Sequence, residues 1–213
     1  MLNHSNCAIQ GRSIPSDVLG ELTETKFHPH NTSQLQQRMH DDGYLFLRGV
    51  IDVPSIDAAR REVFGRLAEV GEIEPPPHKG IATGTSRRQE LVGDLGQFWQ
   101  SVSEGPALRH ISHGRHTHSV MDALLGEPSR PHDYIFLRPG VVGRATNLHY
   151  DYPFFARGSK RIYTVWTAIG EIPPDEGTLV VVEGSHHFHD LIDPILKIDY
   201  ESKYSPQVAM TDD

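Results

Sequence analysis

Asn147-Leu148-His149-Tyr150-Asp151-Tyr152-Pro153-Phe154-Phe155 is the stretch on which the reading of this chain turns. As an extended strand it points residues i and i+2 to one face, which sets His149 and Asp151 side by side. An imidazole and a carboxylate placed this way form two corners of a 2-His-1-carboxylate facial triad. That donor set holds non-haem iron(II) and leaves the opposite positions open. The H-x-D pattern is short, and a surface loop that happens to carry a His and an Asp is the competing reading. The sequence on either side bears on the choice.

Around this stretch the texture is that of short strands. Residues 134–137, 162–169 and 178–182 are β-rich, with turn signals at Arg138-Pro139-Gly140, Gly158-Ser159 and residues 172–177 between them. Short strands with Gly/Pro turns and no intervening helix predict a sandwich or a barrel-like jelly roll. Upstream the pattern is helical. Ser33 and Gln36 have capping-box spacing, and Leu35 and Met39 follow on one face, which predicts a helix ending near Asp42-Gly43. Tyr44-Leu45-Phe46-Leu47-Arg48 reads as a short strand. A second helix opens at residues 52–54, with Pro54 in its first turn and Ile56, Ala59, Val63, Leu67 and Val70 at helical spacing. Residues 98–126 read as helix in two pieces broken near Gly105-Pro106. The fold class predicted is therefore α+β, with a helical part (residues 32–128) against a β core (residues 129–213) in a single domain.

Two segments have no clear period. Residues 1–31 read as a mobile arm or capping loop. Residues 71–96, with Pro75-Pro76-Pro77, read as a long polar connection of the kind that is usually functional or disordered. Within it, Thr85-Ser86-Arg87-Arg88 is either an anion contact or a solvated surface. His110, His113, His116 and His118 cluster on the third helical region. Three-residue spacing is compatible with a zinc or nickel site, but no Cys accompanies them and Gly114 interrupts them, which favours a polar helix face.

Composition narrows the partners. The chain has 213 residues, enough for one substantial core, a net charge of -8 and no Lys/Arg-rich run. Nucleic acid and anionic membrane are not expected partners. No apolar run has the length of a membrane span, and residues 1–10 lack the layout of a secretion signal. A lone cysteine, Cys7, excludes an internal disulfide and agrees with a cytoplasmic location.

The order of these segments resembles the phytanoyl-CoA dioxygenase family. Asp42-Gly43-Tyr44-Leu45-Phe46-Leu47-Arg48-Gly49 resembles its opening helix-to-strand signature, and His149-Tyr150-Asp151 its iron-binding H-x-D. Val165-Trp166-Thr167-Ala168-Ile169 and the run from Asp175-Glu176-Gly177 to Gly184-Ser185-His186 resemble its longest recurring stretch, with Glu183 in place of a common proline. The resemblance spans residues 33–187. It implies a double-stranded β-helix (a cupin-like jelly roll). It also implies an oxygenase that uses iron(II) and 2-oxoglutarate to hydroxylate a small organic substrate with O2, releasing succinate and CO2. His149 and Asp151 are then the catalytic metal ligands. Tyr134 and Trp166 match positions that help to form the cosubstrate pocket, although both also make sense as ordinary packing. Arg138 and Arg144 are the nearest cations to the motif, either carboxylate partners or solvated.

One departure stands out. The family's second iron-binding His, and its 2-oxoglutarate-binding Arg, lie on strands well after the G-S-H turn, whereas this sequence reaches Asp213 through a polar segment. His186, His187 and His189 are the histidines that follow the motif. The expectation is a C-terminally incomplete jelly roll, with residues 71–96 and 190–213 as candidates to cover a substrate. A non-catalytic binding protein of the same fold, and a metal module on the His-rich helix, are the alternatives.

Overall fold

Asp52 opens the longest helix. The computed structural model describes residues 7–30, 32–137, 146–156, 158–173 and 176–198, and α1 (Thr32–Asp42) and α2 (Val53–Glu69) are its first two helices. The Asp52 carboxylate accepts from the Ser55 backbone N–H and hydroxyl, each at 2.9 Å. Those bonds favour the ionised form and hold Asp52 below the usual carboxylate range. The cap is thus intact above that range and is lost as pH falls through the lowered value.

Along α2, Ala59, Val63 and Leu67 recur at the spacing read from the sequence, and with Val70 they are buried. They pack against Phe98 and Val102 of α4 (Leu95–Ser103) and Leu108 and Ile111 of α5 (Pro106–Ser112). The four-residue α3 (Arg88–Leu91) precedes α4. Glu62 ties α2 to α5: its carboxylate accepts from the N–H groups of Ala107 and Leu108 at 3.1 and 2.9 Å. A carboxylate on the exposed amides of a helix start satisfies both orphan donors and the helix dipole, an arrangement of about 1 kcal/mol.

The third helical region breaks twice. Besides the expected break at Gly105-Pro106, the chain turns at His113-Gly114 before α6 (Arg115–Leu125). A Cβ on Gly114 would lie 1.9 Å from the His110 carbonyl oxygen, so only glycine fits the turn. α1 lies on α6, where Leu35 is buried with Val120, Ala123 and Leu124. Gln36 does not form the expected capping box; its amide donates to the Leu124 carbonyl at 2.9 Å. Gly43 ends α1 as expected, with φ +77° and its N–H on the Met39 carbonyl.

Residues 71–96 are not a loose connection. They fold back on α2 through hydrogen bonds from Thr83 to the Glu72 carbonyl and from Arg87 to the Val70 carbonyl, at 2.9 and 2.8 Å. Arg87 pairs with Glu90 and Arg88 with Glu72, which accounts for the two arginines without an anionic ligand.

The described residues are mostly helical with few strands. Among them the one sheet is a hairpin, β1 (Ala8–Ile9) and β2 (Arg12–Ser13), and two isolated bridges lie elsewhere, Glu24–Phe46 and Ile73–Ala82. Residues 134–137, 162–169 and 178–182, expected as strands, carry no ladder, and 44–48 contributes only the Phe46 bridge. The physical reason is that a strand cannot satisfy its own backbone; it needs a paired neighbour and a buried face to fix register. Here Val165, Trp166, Leu179 and Val180 stand 51%, 49%, 46% and 44% exposed, so burial does not supply that face. Among the described residues no helix is long and apolar enough to cross a membrane.

Candidate functional site

Residues 147–150 run without a ladder, and at Asp151 (φ -69°, ψ -34°) the backbone turns into α7 (Tyr152–Phe155), with Pro153 in its first turn. The strand expected here is therefore replaced by a bend. His149 and Asp151 meet through that bend: His149 Nε2 lies 3.3 Å from Asp151 Oδ1.

The two side chains are prepared in different ways. His149 Nδ1 is 2.7 Å from the Asn147 carbonyl. A carbonyl only accepts, so Nδ1 carries the proton and, in the neutral ring, Nε2 keeps its lone pair. Asp151 occupies the position before α7 but makes no capping bond, which leaves its carboxylate turned to the imidazole. Both are partly open to solvent, at 48% and 39% side-chain exposure. Adjacent donors on an octahedral ion with bonds of about 2.1 Å are separated by about 3 Å. The pair thus fits two neighbouring positions of a hard or borderline divalent metal. Among the described residues no group of three His, Cys, Asp or Glu side chains is placed to hold a metal.

Surrounding contacts fix this segment from three directions. Leu148 N–H donates to Gln10 Oε1 at 3.2 Å, bringing the N-terminal hairpin onto the motif. Gln10 holds φ +53°, a left-handed backbone uncommon for a side-chain-bearing residue. Residues 7–30, read from sequence as arm or cap, therefore include a contact with the site. Tyr150 donates its hydroxyl to the Ser185 carbonyl at 2.9 Å. On the far side Phe155 of α7 lies edge-on to Phe136, with ring centres 5.8 Å apart.

Of the residues expected to line a cosubstrate pocket, Tyr134 contacts Phe136 edge-on, with centres 4.7 Å apart, and connects through it to Phe155. Trp166 stands half exposed in the unladdered segment 162–169. Arg138 and Arg144 lie outside the described residues. His186 donates from Nε2 to the His40 carbonyl at 2.9 Å, and its ring packs on His187 with centres 3.8 Å apart. Burial, with the neighbouring His186, His40 and His189 rings, holds His187 below the usual imidazole range.

The His-rich helix has a structural account. His113 bridges the Ser112 hydroxyl and the His132 carbonyl, both at 2.8 Å, and His118 meets the Ser129 hydroxyl at 3.0 Å. These bonds fasten residues 129–132 to α5 and α6.

Comparison with known proteins gives these residues a context. The sequence model of the phytanoyl-CoA dioxygenase (PhyH) family matches residues 39–194. "Phytanoyl-CoA dioxygenase domain-containing protein 1" from Danio rerio is 24% identical over 198 residues, covering 73% of this chain and 66% of that protein. The chain therefore spans a little under two thirds of that relative's length. No solved structure matches. The family match covers well over half of the chain and takes in the Gly43 turn, the His149–Asp151 bend and the G-S-H turn alike; the chain belongs to the phytanoyl-CoA dioxygenase (PhyH) family.

Proposed function

We propose that this chain is the core of an iron(II)- and 2-oxoglutarate-dependent oxygenase that hydroxylates a small organic substrate. The observation that carries the reading is the convergence of His149 Nε2 and Asp151 Oδ1 at 3.3 Å, with no further hydrogen bond to either atom among the described residues. Bound iron(II), with 2-oxoglutarate as cosubstrate, supplies the oxidising chemistry that inserts oxygen into a C–H bond while 2-oxoglutarate becomes succinate and CO2.

The chain's own residues do the holding. The Asn147 carbonyl fixes a proton on His149 Nδ1, which leaves Nε2 as the nitrogen that can meet an ion, and a carbonyl behind a metal-binding imidazole also raises its basicity. Asp151 offers an anionic oxygen that offsets part of the ion's charge. Solvent access to both gives a small molecule and O2 a route to the remaining positions. Tyr134 and Trp166 belong to this reading as cosubstrate-pocket residues. So does a jelly-roll core, supported by the β-branched and aromatic composition of residues 162–169 and 178–182 and by their exposed apolar side chains.

A second reading, a binding protein of the same family without turnover, is favoured by one observation: among the described residues the pair has no third protein donor. An anaerobic titration with iron(II) and 2-oxoglutarate separates the two. The oxygenase reading expects a visible charge-transfer band, and His149→Ala and Asp151→Ala each weaken iron binding by about 100-fold or more, beyond the effect of losing an outer-shell partner. A folded chain without the band, or a band that survives both substitutions, sinks it.

A further inference from the structure

The residue between the two candidate ligands has a partner of its own. Tyr150 is partly buried, and its hydroxyl donates to the Ser185 carbonyl at 2.9 Å, a carbonyl that also accepts from Phe188 N–H at 3.0 Å. Ser185 opens the 3-10 turn Ser185–His187, which Gly184 leads into with φ +75°. The next residue, His186, reaches the opposite way. Its Nε2 donates to the His40 carbonyl near the end of α1, and its ring lies over Gly43, where an added Cβ would fall 2.2 Å from Nδ1. A continuous path therefore runs from α1, through His186, the turn and the Ser185 carbonyl, to the Tyr150 hydroxyl.

We infer that Tyr150 and His186 are positioning residues, which hold the backbone of residues 149–151 so that the imidazole and carboxylate on either side of Tyr150 converge. The inference rests on reading that pair as the metal site. Three consecutive residues outside any ladder lose conformational freedom when they are fixed, and inter-strand hydrogen bonds do not supply the restraint here. What supplies it is Gln10 on Leu148 N–H, the Phe154 N–H on the Asp151 carbonyl at 3.0 Å and the path through Tyr150. The Tyr150 ring cannot turn away without breaking its bond to Ser185 or carrying the backbone of His149 and Asp151 with it.

The test compares Tyr150→Phe, His186→Ala and His186→Gln in the full chain. Tyr150→Phe removes one oxygen and keeps the ring. His186→Gln keeps a side-chain N–H for the His40 carbonyl. Two readouts are taken: affinity for Mn(II) alone, and the ring-nitrogen NMR signals of 15N-histidine-labelled protein, which report the His149 tautomer without any metal. Expected results are a loss of Mn(II) affinity of about tenfold in Tyr150→Phe and His186→Ala. His149 also shifts from the Nδ1–H form to a mixture of tautomers, and His186→Gln recovers much of both effects. Unchanged His149 signals and Mn(II) affinity in Tyr150→Phe, whatever happens to the unfolding midpoint, make Tyr150 a structural residue and overturn the inference. A wild-type chain that takes up no Mn(II), but whose His149 tautomer still shifts in Tyr150→Phe, supports the positioning role and removes the oxygenase reading instead.

Discussion

Replacing Gly43 with alanine is expected to lower the unfolding free energy by about 2–5 kcal/mol, the sum of two separable costs. The first is backbone conformation. Gly43 holds φ +77° at the end of α1, and an L-residue forced into that region loses about 1–2 kcal/mol. The second is contact. The new methyl group would lie 2.2 Å from His186 Nδ1 and 2.6 Å from its Cγ, far inside van der Waals distance, so the ring or the helix end must move. Overpacking of this kind costs about 1–3 kcal/mol. A double-mutant cycle tells the two apart. In a His186→Ala background the contact disappears, and the cost of Gly43→Ala should fall to its backbone share of about 1–2 kcal/mol. Urea unfolding of the four proteins checks this, and equal costs in both backgrounds would contradict it.

The other large effect belongs to the helical core. Ile111 is 2% exposed in the cluster that α2, α4 and α5 build, and Ile111→Ala should cost about 2–5 kcal/mol. Conservative shortening to valine should cost about 0.5–1.5 kcal/mol, because less volume is emptied. Total stabilities of about 5–15 kcal/mol make the alanine variant marginal. Its urea midpoint should drop with little change in slope, since the surface exposed on unfolding is almost the same. A cost below about 1 kcal/mol would mean that the three helices do not close on this residue as described.

The helical part was legible because its signals are local. Asp52, Pro54 and the series Ile56, Ala59, Val63, Leu67 and Val70 announce α2, and Gly43 announces the end of α1. The break at Gly114 was missed because a glycine amid histidines carries no period; the reason for it, the His110 carbonyl where a Cβ would be, exists only in three dimensions. Residues 162–169 and 178–182 have strand composition, yet a ladder depends on partners that composition does not specify. The site is the instructive case. H-x-D predicts His149 and Asp151 side by side along a strand, whereas the two side chains meet across a bend. A usable sign was present: an Asp followed two residues later by Pro153 is a helix start, as Asp52 and Pro54 are at α2. By contrast, nothing in the sequence links Gln10 to Leu148 or His186 to His40.

Those last two links have a kinetic consequence. They join residues 138 and 146 positions apart, whereas Glu62 reaches α5 across 45 and 46. Closing longer loops costs more entropy before any contact rewards it, and distant pairings slow folding. A refolding chain is expected to assemble α2, α4 and α5 first and to shape the bend at His149 last. Stopped-flow helix signal should therefore rise before the chain acquires Mn(II)-binding capacity, and simultaneous recovery would count against this order. The same order holds during synthesis: the bend waits until the Ser185–His187 turn has left the ribosome, so a nascent chain would carry its helical layer well before His149 and Asp151 are held together.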